Sequence, residues 1–265
     1  MPGFASDREA ALVAALERCA FQAWPALQTI GCDGWLLRFA DGFTKRANSV
    51  NAVAPTGAFA AVLEMAERQY GQRRQPAIFR LTPLAGHEAD AILDQRGYRR
   101  LDDSAVMVAP ISPALRIDSG VVIRETPSGD WRTGYTDAGA IPVGHRATLA
   151  RMLAAIAPPA AFAQLVERGQ PVAWGLAVVD RDKVGLFDIM TAVPARRRGF
   201  GRRLVTSLLA WGRGQGATTA YLQVVTANVP AVALYHSLQF RTFYPYHYRV
   251  GPVDRSAVAA ATPAP

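Results

Sequence analysis

Cysteine is nearly missing from this 265-residue chain: only Cys19 and Cys32 occur, with no CxxC pair and no histidine beside either. That excludes a disulfide-built scaffold and a cysteine zinc site, and it fits reduced thiols in a cytoplasmic protein. Lysine is as scarce, at positions 45 and 183 alone, so the net charge of +8 rests on arginine. Charged residues are 19% of the chain against 50% hydrophobic ones, a balance that favours a packed core over disorder. Long apolar runs are also lacking. The best of them, residues 153–163, is broken by Pro158 and Pro159 and is too short to span a bilayer. The first residues, Met1-Pro2-Gly3-Phe4-Ala5-Ser6-Asp7, lack the basic start and apolar stretch of a secretory signal. The expectation is a cytoplasmic protein without a membrane partner.

The arginine excess comes with much alanine and is spread along the chain, a skew better explained by a bacterial genome's composition than by a nucleic-acid surface. No aromatic residues interleave with it as a binding face would require, so nucleic acid is not an expected partner. The one dense cluster is Arg196-Arg197-Arg198-Gly199-Phe200-Gly201-Arg202. It follows a β-type run over 184–193 and leads into Leu204-Val205-x-x-Leu208-Leu209, apolar at helical spacing. A helix start presents unpaired N–H groups and the positive end of the helix dipole. Glycines at 199 and 201 remove the Cβ atoms that would hold a diphosphate away from the backbone. This loop reads as a diphosphate cradle. No Lys-Ser/Thr follows it, so it is not a nucleotide P-loop, and it lacks the G-x-G-x-x-G of dinucleotide folds.

Arg196-x-x-Gly199-x-Gly201 resembles the R/Q-x-x-G-x-G/A loop with which GCN5-related N-acetyltransferases grip the pyrophosphate of acetyl-coenzyme A. A second segment, Asn228-x-x-Ala231-x-x-Leu234-Tyr235 followed by Leu238-Gln239-Phe240-Arg241, is similar to the family's N-x-x-A-x-x-x-Y-x-x-x-G-F pattern, with Gln239 where glycine is usual. The periodicities predict strands at 121–124, 162–167, 172–179, 184–193 and 220–225, helices at 128–138, 147–156, from the Arg/Gly loop to about 211, and at 229–238, and closing aromatic strands over 240–250. Glycines 212 and 214 are expected to stop the third of these helices. That β-α-α-β-β-β-α-β-α-β order matches the family's, with the Arg/Gly loop after the fourth strand.

The implied fold is α+β, a mainly antiparallel mixed sheet flanked by helices. Residues 121–252 would form the catalytic domain, 111–120 a linker, 253–265 a disordered tail, and 1–110 an N-terminal domain. That first part echoes the rhythm with strands at 50–55 and 77–81, helices at 58–70 and 89–95, and then Arg96-Gly97-Tyr98-Arg99. Where the loop should stand it has Pro55-Thr56-Gly57-Ala58 instead. It reads as a degenerate copy in a tandem acetyltransferase, or as an unrelated α+β cap.

The resemblance implies further roles. Backbone N–H groups of Thr191, Ala192 and Val193 would meet the thioester carbonyl, and Arg196 to Arg202 the pyrophosphate. Tyr235 would be a general acid near the sulfur, or simply a residue packing one helix face. Asn228 would cap its helix and also touch the coenzyme. Asp188, a carboxylate inside an apolar strand, is the candidate base or else a structural aspartate. His236 and His247 are weaker candidates, and no metal-ligand spacing links them. In the first half Asp41-Gly42 reads as a hairpin turn, with Thr44, Arg46, Asn48 and Val50 on one face of the strand that follows. Arg46 and Asn48 then mark either a solvated edge or an acceptor-binding wall. The expected activity is acetyl transfer from acetyl-coenzyme A, without a metal, to a primary amine of a small molecule or amino acid in a ternary complex. The alternative is a catalytically silent acyl-coenzyme-binding regulator. A monomer or homodimer fits either.

Overall fold

A computed structural model describes residues 6–252; the expected tail at 253–265 lies outside the described residues. The chain forms two compact units that are not consecutive halves. Of the described residues, the first unit takes 6–17, 26–104 and 244–252, and the second takes 18–25 and 105–243.

In the first unit α1 (Asp7–Ala23) begins where the Ser6 hydroxyl accepts the Glu9 N–H at 3.2 Å. This helix was not anticipated, although Ser6-x-x-Glu9 is a capping signature. It is followed by β1 (Gln28–Cys32), β2 (Trp35–Phe39), β3 (Val50–Ala52), α2 (Phe59–Gln72), β4 (Ile78–Leu81) and α3 (Gly86–Gln95). The start of β5 (Arg99–Pro110) and the end of β11 (Arg241–Val250) belong here as well. The strand order is β1-β2-β3-β4-β11. Val62, Leu63 and Ala66 of α2 and Leu93 of α3 share one core with Trp35, Leu37, Val50 and Phe79.

Two expectations fail here. The tight hairpin turn is Asp33-Gly34, both with positive φ (45° and 78°), joining paired Cys32 and Trp35. Asp41-Gly42 instead lies in a loop between β2 and β3, and the strand expected over 44–50 starts only at Val50. The cause is Asn48. Its Oδ1 accepts the N–H groups of Ala40 (2.8 Å) and Gly42 (3.0 Å), and its amide nitrogen donates to Phe43 O (2.6 Å) and Thr44 O (3.0 Å). A side chain that saturates the loop's own backbone competes with strand pairing.

The second unit runs β6 (Val121–Arg124), α4 (Gly129–Ala138), α5 (Val143–Ala154), β7 (Ala160–Glu167), β8 (Gln170–Asp180), β9 (Lys183–Thr191), α6 (Phe200–Gly214), β10 (Thr219–Val225) and α7 (Val229–Ser237). The element order is the expected one, and the strands lie in the order β5-β10-β9-β8-β7-β6. Phe200, Leu204, Val205, Leu208 and Leu209 give α6 an apolar stripe that packs on a floor of small residues, Ala161, Ala163, Ala173, Ala177 and Ala220. Each large side chain buried there contributes roughly 1.5–3 kcal/mol. The helix passes Gly212 and ends at Gly214, the second of the two glycines expected to stop it. Gly212 is a contact point, where an added Cβ would lie 2.8 Å from Val184 Cγ2. The 111–120 segment is tied to α6: Arg203 forks onto Asp118 with two 2.9 Å bonds, and Asp118 N donates to Ser207 Oγ. The expected closing strands are one strand, β11, whose residues 247–250 pair antiparallel with β4 of the first unit.

Candidate active site

The site begins with a bulge. Trp174 of β8 pairs with Met190 and Leu176 with Phe187, so Gly175 faces both Asp188 and Ile189. Asp188 takes a left-handed conformation (φ 47°), which aspartate tolerates better than most residues. Opposite it stands Gly175, where a Cβ would sit 2.6 Å from Ile189 Cδ1 and push that side chain aside. The parallel pairing of β9 with β10 covers Lys183–Leu186 against Thr219–Leu222 and ends one residue before the bulge. Both strands continue, to Thr191 and Val225, without that ladder. A crevice at the carboxyl ends of parallel strands is where sheets of this kind take ligands. Val193, Val225 and Val229, exposed at 69%, 41% and 68%, give the strand ends an apolar rim.

Beyond Thr191 the chain makes one tight turn (Val193–Ala195), then Arg197 (φ 62°) and Gly199 (φ 80°) adopt left-handed conformations before α6 starts at Phe200. The first helical bond is Arg203 N to Gly199 O at 3.1 Å, so the N–H groups of Phe200, Gly201 and Arg202 have no partner within the helix. Gly199 carries no side-chain cap that would occupy them. A Cβ on Gly199 would meet nothing within 4 Å. One on Gly201 would make only ordinary contacts, 3.6 Å from Leu234 Cδ2 and Thr191 Oγ1. The backbone is therefore open at this point, and the residues present fit a pyrophosphate. The arginines differ in their commitments. Arg196 Nε donates to Thr191 O (3.3 Å), Arg202 ties α6 to Ser237 of α7 (2.8 Å), Arg198 lies over the Phe200 ring, and Arg197 is exposed. Of the three strand-end amides expected to meet a carbonyl, that of Ala192 is spent on Val172 O at 2.9 Å.

Tyr235 lies within electrostatic reach of Asp188. Tyr235 is buried, edge-on to Phe240 at 5.8 Å, and its hydroxyl is pushed up to about 12, first by burial and then by the charge of Asp188. Asn228 caps α7, its Oδ1 accepting the Ala231 N–H at 3.3 Å. Asp188 is half-buried, and its Oδ2 accepts the Tyr135 hydroxyl of α4 at 2.6 Å. Sequence reasoning missed Tyr135. It also missed Gln223, the first residue of β10 past the paired stretch, whose Oε1 is buried with no hydrogen-bond partner. By strand alternation Gln223 shares a face with Tyr221, whose ring meets Phe187. Tyr135 had no local signal, because it meets a partner 53 positions away in the chain.

In the first unit Asn48 is a loop brace, with its amide consumed by backbone, and not a free wall residue. Arg46 is half-buried in the same loop, and its carbonyl accepts Arg38 Nη1 at 2.6 Å. His247 is buried against Asp90 (3.1 Å), and His236 Nδ1 lies 3.1 Å from Phe240 O. Among the described residues no group of three or more metal-ligating side chains gathers, and no helix is long and apolar enough to cross a membrane.

A family model described as "Probable histone acetyltransferase Rv0428c C-terminal" matches residues 10–249. The chain belongs to this acetyltransferase family. It is a GCN5-related N-acetyltransferase, and the resemblance carried by the two motifs holds. The acetyltransferase is 28% identical over 243 residues to "Uncharacterized N-acetyltransferase YobR" of Bacillus subtilis, covering 89% of this chain and 97% of that one. Its fold is that of the GCN5-related N-acetyltransferase from Kribbella flavida (TM-score 0.66, 16% identity, 92% and 97% of the two chains). It is also similar in fold to a tandem GNAT protein from the clavulanic acid biosynthesis pathway (TM-score 0.57, 11% identity, 96% and 98% covered).

Proposed function

We propose that this N-acetyltransferase takes its acetyl group from acetyl-coenzyme A and delivers it to a primary amine of a small molecule or amino acid in a ternary complex. The observation that carries the reading is the open backbone at Gly199 and Gly201, set beside the place where β9 and β10 lose their ladder. Acetyl-coenzyme A, when bound, supplies a thioester open to attack by an amine. The N–H groups of Phe200 to Arg202, with Arg196, Arg197 and Arg198, would hold its pyrophosphate, and Asn228 would border it. Val193, Val225 and Val229 offer apolar surface to the arm between phosphate and sulfur. Asp188 would take the proton that the amine must lose. The orphaned Gln223 Oε1 is suited to accept an amine N–H, since an unpaired buried acceptor is costly without a donor. Tyr235 would donate toward the departing sulfur. With its hydroxyl near 12 it is a far weaker acid than a thiol of about 8.5, so it gives a hydrogen bond more readily than a whole proton.

Coenzyme consumption measured against a panel of amino acids, polyamines and a lysine peptide tests the reading. Turnover confined to the peptide would replace the small-molecule acceptor with a protein one. Gln223→Leu is expected to raise the acceptor KM about tenfold, the size of one hydrogen bond, and to leave the acetyl-coenzyme A KM unchanged. An unchanged acceptor KM would remove Gln223 from the site.

The first unit is proposed to be the degenerate copy, without a coenzyme site. Its counterpart loop is filled from within. Val53 N and Ala54 N donate to Gly34 O, Thr56 N donates to Asp33 O, and a Cβ on Gly34 would lie 1.8 Å from Ala54 O. Its parallel strands β3 and β4 stay paired, Val50 with Phe79 and Asn51 with Arg80. Calorimetric titration with acetyl-coenzyme A should give one site per chain. Two equivalent sites would overturn the assignment.

A further inference from the structure

We infer that Tyr135 is a positioning residue for acetyl transfer, acting through Asp188; the inference rests on the reading of Asp188 as the base. Tyr135 is held more firmly than a packing residue needs to be. Its ring stacks on Trp131 at 4.6 Å and 14°, and Trp131 is itself anchored by its indole N–H donating to Ala163 O at 2.9 Å and edge-on contact with Phe162. The helix start is pinned by Ser128, whose hydroxyl accepts the Trp131 N–H at 3.1 Å. Helix α4 also approaches the sheet through two glycines. A Cβ on Gly134 would lie 2.6 Å from the Trp174 ring, and one on Gly139 2.8 Å from Met190 Sδ. Trp174 and Met190 are the pair that flanks the bulge. The helix thus docks at close range on the strands that carry Asp188, in a register that aims the Tyr135 hydroxyl at its Oδ2.

Asp188 sits with φ 47° at the register shift, where the regular alternation of the strand is broken and does not by itself set the direction of the side chain. The short bond from a tyrosine whose ring is stacked on Trp131 holds the Oδ2 side of the carboxylate in a fixed direction. A base must be within hydrogen-bond reach of the proton it removes, so loss of the fixed rotamer costs rate and leaves coenzyme binding alone. No proton passes through Tyr135 in this scheme, and it touches no reacting atom.

The test uses Tyr135→Phe, Asp188→Asn and the double variant in the full chain, with kcat and both KM values measured for the best acceptor under conditions where chemistry limits the rate. Tyr135→Phe is expected to lower kcat roughly tenfold, with the acetyl-coenzyme A KM unchanged. In the Asp188→Asn background the same change should have no further effect, because the carboxylate it orients is gone. A merely structural Tyr135 would lower both backgrounds equally, and that result overturns the inference. Asp188→Asn impaired with Tyr135→Phe at the wild-type rate overturns the inference while sparing the base. Asp188→Asn at the wild-type rate overturns the base reading and this inference with it. Thermal unfolding of Tyr135→Phe should match the wild type to within a few degrees, and loss of a folded transition would shift the test to Trp131→Phe, which keeps an aromatic ring and gives up the anchoring N–H.

Discussion

Acetyl-coenzyme A at a hundred times its dissociation constant is expected to stabilise the folded chain by about 2.7 kcal/mol through mass action alone. For a chain of this size that corresponds to a melting temperature raised by roughly 5–10 °C. Gly199→Leu/Gly201→Leu is expected to abolish the rise. The two glycines fail for different reasons. Gly199 sits at φ 80°, where any residue with a Cβ is strained by about 1–2 kcal/mol, so the turn that presents the helix start would rearrange. A Cβ on Gly201 would make only ordinary contacts, 3.6 Å from Leu234 Cδ2 and Thr191 Oγ1, so a side chain there strains the fold less and takes up space beside the helix start. Gly201→Leu alone is therefore the cleaner variant: its ligand-free melting temperature should stay near that of the wild type while the ligand-induced rise is lost. A full rise in Gly201→Leu would show that the phosphates lie elsewhere, and no rise in the wild type at millimolar ligand would remove the coenzyme assignment.

Tyr235→Phe is expected to lower kcat about 10²-fold, the lower end for a group that assists a leaving atom. The acetyl-coenzyme A KM should barely move, since the ring keeps its edge contact with Phe240. The pH dependence separates this role from packing. Because the hydroxyl ionises only near 12, the donor is intact through pH 10, and wild-type activity should show no alkaline decline on its account below that pH. Its effect on stability has a definite sign. An unfolded tyrosine loses its proton near 10 and the folded one near 12, so the unfolded state binds fewer protons between these values and stability falls there as pH rises. Tyr235→Phe should remove that part of the alkaline loss. Wild-type turnover in Tyr235→Phe with chemistry rate-limiting would leave Tyr235 as a packing residue.

What the sequence determined by itself was local. The succession of strand, Arg/Gly loop and helix around residue 199 could be read because apolar spacing, a glycine in a left-handed turn and a helix start all act over a few residues. The same holds for the element order from Val121 onward and for Asn228 as a cap. Cues of equal local strength could still mislead. Asp33-Gly34 and Asp41-Gly42 are the same dipeptide, and only the pairing of β1 with β2, and the grip of Asn48 on the second loop, chose between them. The tertiary structure alone decided the rest. The last strand divides its residues between the two units, because pairing with β4 is a contact across more than 150 residues of chain. Gly212 lies inside the helix as a close-contact point over Val184, and the stop falls at Gly214. Asp188 owes its conformation to a register shift against β8, and its hydrogen bond to a tyrosine 53 positions earlier. Spacing along a chain reports what neighbours in sequence do to each other, and these contacts come into being only when distant segments pack.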